Sequence, residues 1–518
     1  MGAERAFKVH ILPDERDIPA ACGETLLCAL RRAGEAIDAP CGGNGSCGKC
    51  GVILVENGAK KPALACRTVI NGDLTVQLTE NAGGMQILTR TQGGEKGGIT
   101  KGSPALAFDV GTTTIAGYLV NADTGEEIAS SAGMNPQYPF GADVIARLSY
   151  ALEHGESALT NAVREAVGTL AKKLCAEGGV LPEDVHTASV VGNTAMQHLY
   201  LGLPIETLSR APFTPYSLDS FTVGARDYGI PIAEDAKLIV PPVIAGFVGA
   251  DTVACLLDTE LFSAKGPEML IDIGTNGEIA LFAAGVCTAC STAAGPAFEG
   301  AKIEMGLRAE PGAVDTVSYE NGRLAFTTVR NAAPKGICGS GLLDAAAALL
   351  DAGLLTPSGR LLSRAEAAEH PLSDRLMQHG GKAAFLLTVK EDGGEVILTQ
   401  QDLRELQLAK GAIRAGIELL IKNAGMVAGD IGKVKMAGAF GCYLNASSAV
   451  KIGLLPAAFS GRIGHAGNAA GGGAKKLVSE RGAFERAALL AKSARHLELE
   501  KQTDFLDTFM DAMAFQMQ

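Results

Sequence analysis

The chain has 518 residues, of which 47% are hydrophobic and 20% are charged, and its formal net charge is −12 at pH 7. This composition excludes an intrinsically disordered protein, and the length predicts about two to four globular domains. The acidic balance, with no basic stripe along the chain, argues against a nucleic-acid partner.

The N-terminal residues and the cysteines indicate where the protein works. The first residues contain no apolar segment of the kind that a secretory signal requires. The most apolar long stretch, 238–257, is interrupted by Pro241, Pro242 and Asp251, so we expect no membrane-spanning helix. Twelve cysteines without a signal peptide favour reduced thiols and metal ligation over disulfides. We therefore expect a cytoplasmic protein.

Residues 1–80 form the first predicted domain. Alternating apolar residues and one amphipathic run predict strands at 7–12, 51–56 and 74–78 and a helix at 23–34. Cys22 and Cys28 fall beside and within this helix, and we expect them to be packing residues rather than metal ligands.

Four further cysteines carry the strongest chemical signal in the chain. Cys41, Cys47, Cys50 and Cys66 have the spacing Cys-x5-Cys-x2-Cys-x15-Cys, with the first three on a glycine-rich loop. Glycines let backbone N–H groups point at the sulfurs of a cluster and tune its potential. The helix followed by a cysteine loop resembles the plant-type 2Fe–2S ferredoxins, although the first gap is 5 rather than 4. A structural zinc site is the alternative, but Cys66 lacks the close cysteine partner that such sites use.

Residues 81–103 separate this domain from the rest of the chain. They contain seven glycines and predict a flexible linker with an r.m.s. span of roughly 25 Å. Such a linker lets the first domain move between two docking positions, and a passive tether is an equal alternative.

Strand-like and helical runs alternate from residue 104 onward, which predicts an α/β region of two lobes, 104–265 and 266–518. Each lobe begins with a strand that ends in Asp and continues through Gly and Thr: Asp109–Ile115 in the first and Asp272–Ile279 in the second. Such a hairpin turn offers backbone and hydroxyl donors to a phosphate, and its Asp can hold hydrated Mg²⁺. The pair predicts two lobes that bind one polyphosphate.

Several glycine turns complete the pattern. Gly339-Ser340-Gly341 opens a helix, and Ala437–Gly441 follows a strand and suits a flat base or ribose. The segment Gly464–Ala474 is predicted to open one final helix that runs to about residue 495. The tail 480–518 is amphipathic, so we expect a core or dimer contact. Cys287 and Cys290 are expected to be small packing residues.

These motifs, in this order, resemble the actin-like ATPase fold of sugar kinases, heat-shock ATPases and actin. The resemblance implies an α+β and α/β multidomain protein. It joins an N-terminal β-grasp 2Fe–2S ferredoxin-like domain to a two-lobed actin-like (ribonuclease H-like) ATPase. In that fold the two hairpins hold phosphates and the late glycine turn holds adenosine.

The whole chain resembles the reductive activators of corrinoid proteins. The matching segments include Phe140-Gly-Ala-Asp-Val-Ile, Val191-Gly-Asn-Thr-Ala-Met and Ala294-Gly-Pro-Ala-Phe-Glu-Gly, besides both hairpins. The resemblance implies ATP-dependent reduction of inactive Co(II) to Co(I) in an anaerobic methyl-transfer system. Larger members have a middle domain between linker and ATPase, and we expect this chain to lack it.

The expected cofactors are a 2Fe–2S cluster, ATP and Mg²⁺, and the resemblance allows residues to be assigned to them. The expected cluster ligands are Cys41, Cys47, Cys50 and Cys66. The expected nucleotide-binding residues are Gly111, Thr112, Thr113, Thr114, Gly274, Thr275, Asn276, Gly277, Gly339, Ser340, Gly341, Gly438, Ala439 and Gly441. The expected catalytic residues are Asp109, Asp272, Glu299 and Ser291.

The expected partners are a corrinoid protein and a low-potential electron donor, with a homodimer as a further expectation. The stretch Ser291–Gly300 is dense in small residues and is expected to face the corrinoid; an ordinary loop beside the nucleotide is the alternative. Two other functions remain open from the sequence. One is an actin-like small-molecule kinase with a redox-sensing domain and Glu299 or Asp251 as base. The other is an electron carrier, against which the nucleotide motifs argue.

Overall fold

The computed structural model describes residues 6–12, 16–33, 50–56, 59–78, 102–141, 143–300, 302–390, 393–441 and 443–515. Two of the predicted cluster ligands, Cys41 and Cys47, and residues 81–101 of the predicted linker lie outside the described residues.

The N-terminal domain is a five-stranded sheet in the order β2-β1-β5-β3-β4 with one helix against it. Its elements are β1 (Ala6–Leu12), β2 (Arg16–Ala21), α1 (Leu26–Arg32), β3 (Gly51–Glu56), β4 (Ala59–Leu64) and β5 (Leu74–Leu78). Strands β1 and β5 run parallel and the other pairs are antiparallel, which is the mixed sheet expected of a β-grasp domain. Val9, Ile11 and Leu30 form its core and are fully buried. The expectation that Cys22 and Cys28 pack against other residues is wrong, because both side chains are exposed.

The first lobe contains a six-stranded sheet in the order β10-β11-β9-β6-β7-β8. Its strands are β6 (Pro104–Val110), β7 (Thr114–Asn121), β8 (Glu127–Met134), β9 (Thr187–Gly192), β10 (Phe221–Gly224) and β11 (Lys237–Val240). Its helices are α2 (Val144–His154), α3 (Ser157–Gly178), α4 (Thr194–Leu201) and α5 (Ala250–Thr259).

The second lobe contains a six-stranded sheet in the order β22-β21-β12-β13-β14-β23 and two smaller sheets, β16-β15-β17 and β18-β19-β20. The strands are β12 (Glu268–Ile273), β13 (Gly277–Ala283), β14 (Val286–Thr292), β15 (Ala313–Glu320), β16 (Arg323–Thr328), β17 (Gly336–Ile337), β18 (Leu376–His379), β19 (Lys382–Val389), β20 (Glu395–Thr399), β21 (Lys433–Ala437), β22 (Ile463–Gly467) and β23 (Arg495–His496). The helices are α6 (Gly339–Asp351), α7 (Gln400–Asn423), α8 (Gly438–Gly441), α9 (Ala446–Lys451), α10 (Ala469–Ser479), α11 (Ala483–Ser493) and α12 (Phe505–Ala512).

The two six-stranded sheets repeat one arrangement. In the first, β6 pairs antiparallel with β7 and parallel with β9. In the second, β12 pairs antiparallel with β13 and parallel with β21. Both predicted hairpins are therefore confirmed as antiparallel strand pairs in the interior of their sheets, and the predicted multidomain α+β and α/β fold is confirmed with them.

The single helix predicted after residue 464 is wrong. Residues Ile463–Gly467 extend the sheet as β22, and the helical part is divided into α10 and α11. The division falls at Gly482, which precedes α11 with φ of +76°, a left-handed conformation that a continuous α-helix does not contain.

Helices α5 and α10 cross each other in the layer between the two sheets. They pack against β9, and α10 also packs against β6 and β7. Their small side chains share one core with residues of β12, β13 and β14. The crossing is close because α10 begins with Gly471, Gly472 and Gly473; a Cβ at Gly473 would lie 2.1 Å from the carbonyl oxygen of Ala254 on α5.

The C-terminal tail is part of the core of the second lobe. Helix α12 packs against α7, and Phe515 is fully buried. The Nε2 of Gln407 donates to the carbonyl oxygen of Met513 over 3.0 Å, and Lys410 Nζ donates to that of Ala514. Among the described helices, none combines the length and apolarity needed to cross a lipid bilayer.

We expect Gly473→Ala to lower the free energy of unfolding by about 1–3 kcal/mol, because the new methyl group would overlap backbone that cannot move independently. The loss would oppose the gain of about 1 kcal/mol that Ala normally brings to a helix interior. Gly429→Ala is the control, since no atom lies within 4 Å of the position that its methyl group would take. Thermal and urea unfolding measure both variants, and equal stability would contradict the close crossing.

Candidate nucleotide and iron–sulfur sites

A cavity of about 290 Å³ lies between the turns of the two hairpins. Its lining contains most of the residues that the sequence predicted for nucleotide binding and catalysis. These are Asp109, Gly111, Thr112, Thr113, Thr114, Asp272, Gly274, Thr275, Asn276, Glu299, Gly339, Ser340 and Gly438. The structure thus brings together segments that are far apart in the chain.

Five other predicted residues lie outside the lining. Gly277 opens β13, and a Cβ there would lie 2.8 Å from the hydroxyl of Thr292. Gly341 lies in the first turn of α6 and Gly441 ends α8, in which Ala439 also lies. Ser291 is on β14, where its hydroxyl donates to Glu278 Oε1 over 3.1 Å.

One carboxylate joins the two hairpin turns. Thr113 donates to Glu299 Oε2 over 2.7 Å, and Thr275 donates to Glu299 Oε1 over 2.5 Å. The two hydroxyl oxygens are themselves 3.4 Å apart. Glu299 ends a short 3-10 turn, Pro296–Glu299, that follows β14. The tips of both lobes therefore meet at one side chain.

Four half-buried carboxylates form the floor of the cleft. Asp109 ends β6, Asp251 is in the first turn of α5, and Asp272 lies directly opposite Glu278 in the β12–β13 register. Burial raises the pKa of Asp109 to about 7, a hydrogen bond from Asn468 opposes the rise, and the charge of Asp272 adds to it. Burial also raises the pKa values of Asp251, Asp272 and Glu278. Like charges opposite each other in a sheet destabilise it, so this floor suits a cation.

The arrangement fits a cation that keeps part of its water shell. No three His, Cys, Asp or Glu side chains of the described ranges are placed to hold a metal ion directly. Mg²⁺ is usually held by one or two carboxylates together with waters and phosphate oxygens. Asp109 and Asp272 are suited to this role because they sit at the ends of the two hairpin strands that line the cleft.

Two residues of the floor were missed from the sequence. Asn468 donates to Asp109 Oδ2 over 2.9 Å and to the Tyr118 hydroxyl over 3.1 Å, while its Oδ1 caps α10 at Gly471. An Asn between a strand and a helix is a typical N-cap, so the position of Asn468 at the start of α10 could have been predicted from the sequence. Cys255 on α5 donates to Asp272 Oδ2 over 3.3 Å, and no motif marks it.

Two aromatic rings also line the cavity. Phe298 stacks on Phe440 with ring centroids 4.5 Å apart and an interplanar angle of 18°, and both side chains are mostly buried. Gly438 starts α8 with φ of +83°, and a Cβ there would lie 2.2 Å from Asp272 Oδ1. Only a glycine lets this turn approach the second hairpin so closely.

Cys50 and Cys66 form a buried thiol pair in the N-terminal domain. Cys50 precedes β3 and Cys66 lies in the turn after β4; the pairing of these strands places the two sulfurs 3.2 Å apart. Two thiols at this distance can ligate one iron of a cluster. Both side chains are buried, which limits access of water to that side of the site.

We expect Asp109→Asn to stabilise the ligand-free protein at pH 8 by about 2–4 kcal/mol and by less at pH 5. The folded-state pKa of Asp109, about 7, lies above the ordinary value of 3.8, so this group lowers stability as the pH rises from about 4 to about 7. The amide removes the titration and still accepts from Asn468. Thermal unfolding at both pH values tests this prediction, and Asp511→Asn is the control because Asp511 is exposed. An equal change in unfolding temperature at pH 5 and pH 8 for Asp109→Asn would refute it.

Three family models match the chain in succession. They are a 2Fe-2S iron-sulfur cluster binding domain at residues 9–71, the RACo middle region at 104–264, and the C-terminal domain of RACo, the ASKHA domain, at 267–518. The expectation that the chain lacks a middle domain is therefore wrong: the first α/β lobe is the region that matches the middle model.

Named relatives match over most of their length. The corrinoid activation enzyme RamQ of Eubacterium limosum is 35% identical over 411 residues, which cover 78% of this chain and 69% of the relative. A Co(II) methylated amine-specific corrinoid protein reductase of Methanosarcina barkeri is 25% identical over 448 residues, covering 79% of this chain and 76% of that one. The solved structure of a reductive activator for corrinoid, iron-sulfur protein has a TM-score of 0.73 at 27% identity and covers 98% of both chains. The chain therefore belongs to the family of reductive activators of corrinoid proteins, in which an iron–sulfur domain is joined to an actin-like ATPase domain.

Proposed function

We propose that this protein transfers single electrons from a 2Fe–2S cluster to the inactive Co(II) form of a corrinoid protein and uses ATP to drive the transfer. One electron leaves the reduced cluster and one Co(II) becomes Co(I), so the step balances without a further reactant. The observation that carries the proposal is the presence, on one chain, of the Cys50–Cys66 thiol pair and of a cleft with two phosphate-binding hairpins.

The cluster is held by Cys41, Cys47, Cys50 and Cys66 in this proposal. A 2Fe–2S cluster accepts and releases one electron at a time, which matches the one-electron difference between Co(II) and Co(I). The residues of the chain set its potential through burial and through backbone N–H groups near the sulfurs. The side chains of Cys50 and Cys66 are both buried, so these two ligands shield their side of the cluster from water.

The cleft between the lobes binds ATP with Mg²⁺. The hydroxyls of Thr112, Thr113 and Thr275 and the amide of Asn276 are donors for phosphate oxygens, and Asp109 and Asp272 hold the hydrated cation. The base stacks beside the Phe298–Phe440 pair, where Gly438 and Gly441 bound the short helix α8.

ATP supplies free energy that an ordinary electron donor lacks, since Co(I) is a strongly reducing state. The energy enters only if the nucleotide binds one state of the protein or of its complex more tightly than the other. Closure of two lobes on one ligand is a common form of such a difference. The stretch Ser291–Gly300, which starts at the end of β14, is the segment we assign to the corrinoid side, with Ser291 as its polar group. Its last residues, Phe298 and Glu299, line the nucleotide cleft, so in this proposal the stretch connects the two sites.

The partners of this reaction are a corrinoid protein of an anaerobic methyltransferase, O-demethylase or acetyl-CoA-type system and an upstream low-potential donor. We place the reaction in the cytoplasm and include a homodimer in the proposal. The deciding assay follows the visible spectrum of a Co(II) corrinoid protein with a low-potential reductant, with and without this protein and ATP. Failure of ATP to speed the appearance of Co(I) would refute the proposal, and phosphorylation of a sugar or acid panel would favour a kinase.

Cys66→Ser should abolish the visible absorption of the cluster, because an alcohol is a far poorer ligand for iron than a thiolate. Cys28→Ser is the matched control, since Cys28 is exposed on α1 of the same domain. Absorption is recorded after anaerobic reconstitution with iron and sulfide. An unchanged spectrum for Cys66→Ser would remove this residue from the ligand set.

Asp272→Ala should leave the cluster reducible by dithionite and abolish the acceleration of corrinoid reduction by ATP. The variant removes a carboxylate of the nucleotide cleft, whereas the thiol pair lies in a separate domain. Absorption of the cluster and the rate of Co(I) formation are measured on the same sample. Equal loss of cluster reduction would contradict this division of roles.

A further inference from the structure

The 3-10 turn Pro296–Glu299 places two neighbouring side chains on the lining of the nucleotide cleft. The carboxylate of Glu299 accepts from the hydroxyls of Thr113 and Thr275. The ring of Phe298 stacks on Phe440 of α8. One turn therefore contacts the tips of both hairpins and the helix that follows β21.

The backbone of this turn is clamped by two glycines. A Cβ at Gly339, where α6 begins, would lie 2.0 Å from the carbonyl oxygen of Phe298. A Cβ at Gly306 would lie 1.9 Å from the carbonyl oxygen of Gly300. Because neither contact leaves free space, the turn cannot shift unless the start of α6 or the segment around Gly306 moves with it.

The chain after this turn crosses the mouth of the cleft. Leu307, Arg308 and Ala309 line the cavity, and the guanidinium of Arg308 contacts the sulfur of Met134 at the end of β8 in the first lobe. We call residues 296–300 and 302–309 the strap. The strap joins the second lobe, to which it belongs, with the rim of the first.

Glu299 and a phosphate group need the same donors. A threonine hydroxyl has one proton to donate, and the hydroxyls of Thr113 and Thr275 both donate to Glu299. An anion that took these protons would also meet the negative charge of Glu299 at hydrogen-bond range. A terminal phosphate and the carboxylate therefore exclude each other from this position.

A buried cation lies within electrostatic range of Glu299. Arg147 is fully buried on α2, donates to Gly141 and Gln137, and its Nη2 has no hydrogen-bond partner among the described residues. Burial lowers the pKa of Arg147 to about 10, and the charges of Asp143 and Glu299 act against that shift. The field of Glu299 thus already reaches a cation with spare hydrogen-bonding capacity.

We propose that Glu299 is a built-in competitor of the terminal phosphate of ATP, and that its displacement from Thr113 and Thr275 moves the strap. The proposal rests on the ATP site of the proposed function and adds the way in which the protein responds to the terminal phosphate at that site. A nucleotide that ends before the terminal phosphate leaves Glu299 on the two threonines. The full triphosphate releases Glu299, and the strap then changes its contacts with the rim of the first lobe.

The test compares the affinities of two nucleotides by isothermal titration calorimetry: ATPγS with Mg²⁺, which carries the terminal group, and AMP, which does not. We expect Glu299→Ala to bind ATPγS about tenfold more tightly, since two hydroxyls no longer have to be freed from a charged acceptor. Its affinity for AMP should stay within about twofold of the unchanged protein. Glu304→Ala is the matched control, because it removes an exposed carboxylate from the same strap that does not contact the threonines.

A double-mutant comparison separates displacement from simple charge repulsion. In the Thr113→Val, Thr275→Val background, Glu299→Ala should change ATPγS affinity by less than about twofold, because no shared donors remain. The proposal would be overturned if Glu299→Ala raised the affinity for ATPγS equally in both backgrounds, or if it did not raise this affinity at all. It would also be overturned if Glu304→Ala raised the affinity for ATPγS. Hydrogen exchange of a peptide covering 294–309 is the second measurement. ATPγS should change its exchange and AMP should not; equal effects of the two would also overturn the proposal.

The outcome is independent of the redox assay. If the protein binds ATPγS as expected but never accelerates formation of Co(I), the proposed function fails while the displacement of Glu299 stands. If Co(I) forms with ATP but Glu299→Ala leaves ATPγS affinity unchanged, only the competitor role fails.

Discussion

The close crossing of α5 and α10 is the constraint on which the nucleotide cleft depends. The two helices meet at backbone distance where Gly473 lies against Ala254, and the two large sheets pack on either side of them. Because both helices begin at the cleft, their first residues form part of its floor: Asp251 in the first turn of α5 and Asn468 as the cap of α10. Helix N-termini carry partial positive charge, which favours the anionic groups gathered there. A wider crossing would separate Asn468 from Asp109 and open the floor.

The carboxylates on the floor of the cleft lower the stability of the folded protein. Asp272 and Glu278 face each other across a strand pair, and the charge of Asp251 also acts on Glu278. The charges of Asp109 and Asp272 act on Asp251, and burial disfavours the charged form of all four side chains. A fold that placed apolar residues here would be more stable. Such concentration of buried like charge is typical of functional sites, where a cation or ligand provides the missing compensation.

The sequence predicted those parts of the protein that depend on local pattern. Both hairpins, three of the five strands of the N-terminal sheet and the small packing cysteines Cys287 and Cys290 follow from periodicity, turn residues and residue size, and the structure has them as expected. The break before α11 was missed because a helical residue pattern continues across 480–482, whereas the backbone is extended at Glu480 and left-handed at Gly482.

Contacts between distant residues were beyond prediction. The sequence marked Glu299 as a candidate catalytic residue, but its hydrogen bond with Thr113 of the other lobe could be seen only in the folded structure. Cys255 was missed for a similar reason. A cysteine in an apolar helix is ordinarily a packing residue, and only the crossing of α5 turns its thiol toward Asp272.

The contact of Thr113 and Thr275 with one carboxylate also gives the cleft a direction. The two threonines come from the turns of similarly built sheets but not from matching positions, because the residue that corresponds to Thr275 in the first hairpin is Thr112. Each threonine donates to one oxygen of Glu299, and Glu299 is attached to the second lobe alone. A ligand at the centre contacts both lobes, but a displacement of Glu299 is passed on through one of them only. The direction runs from the phosphate toward the segment that follows β14.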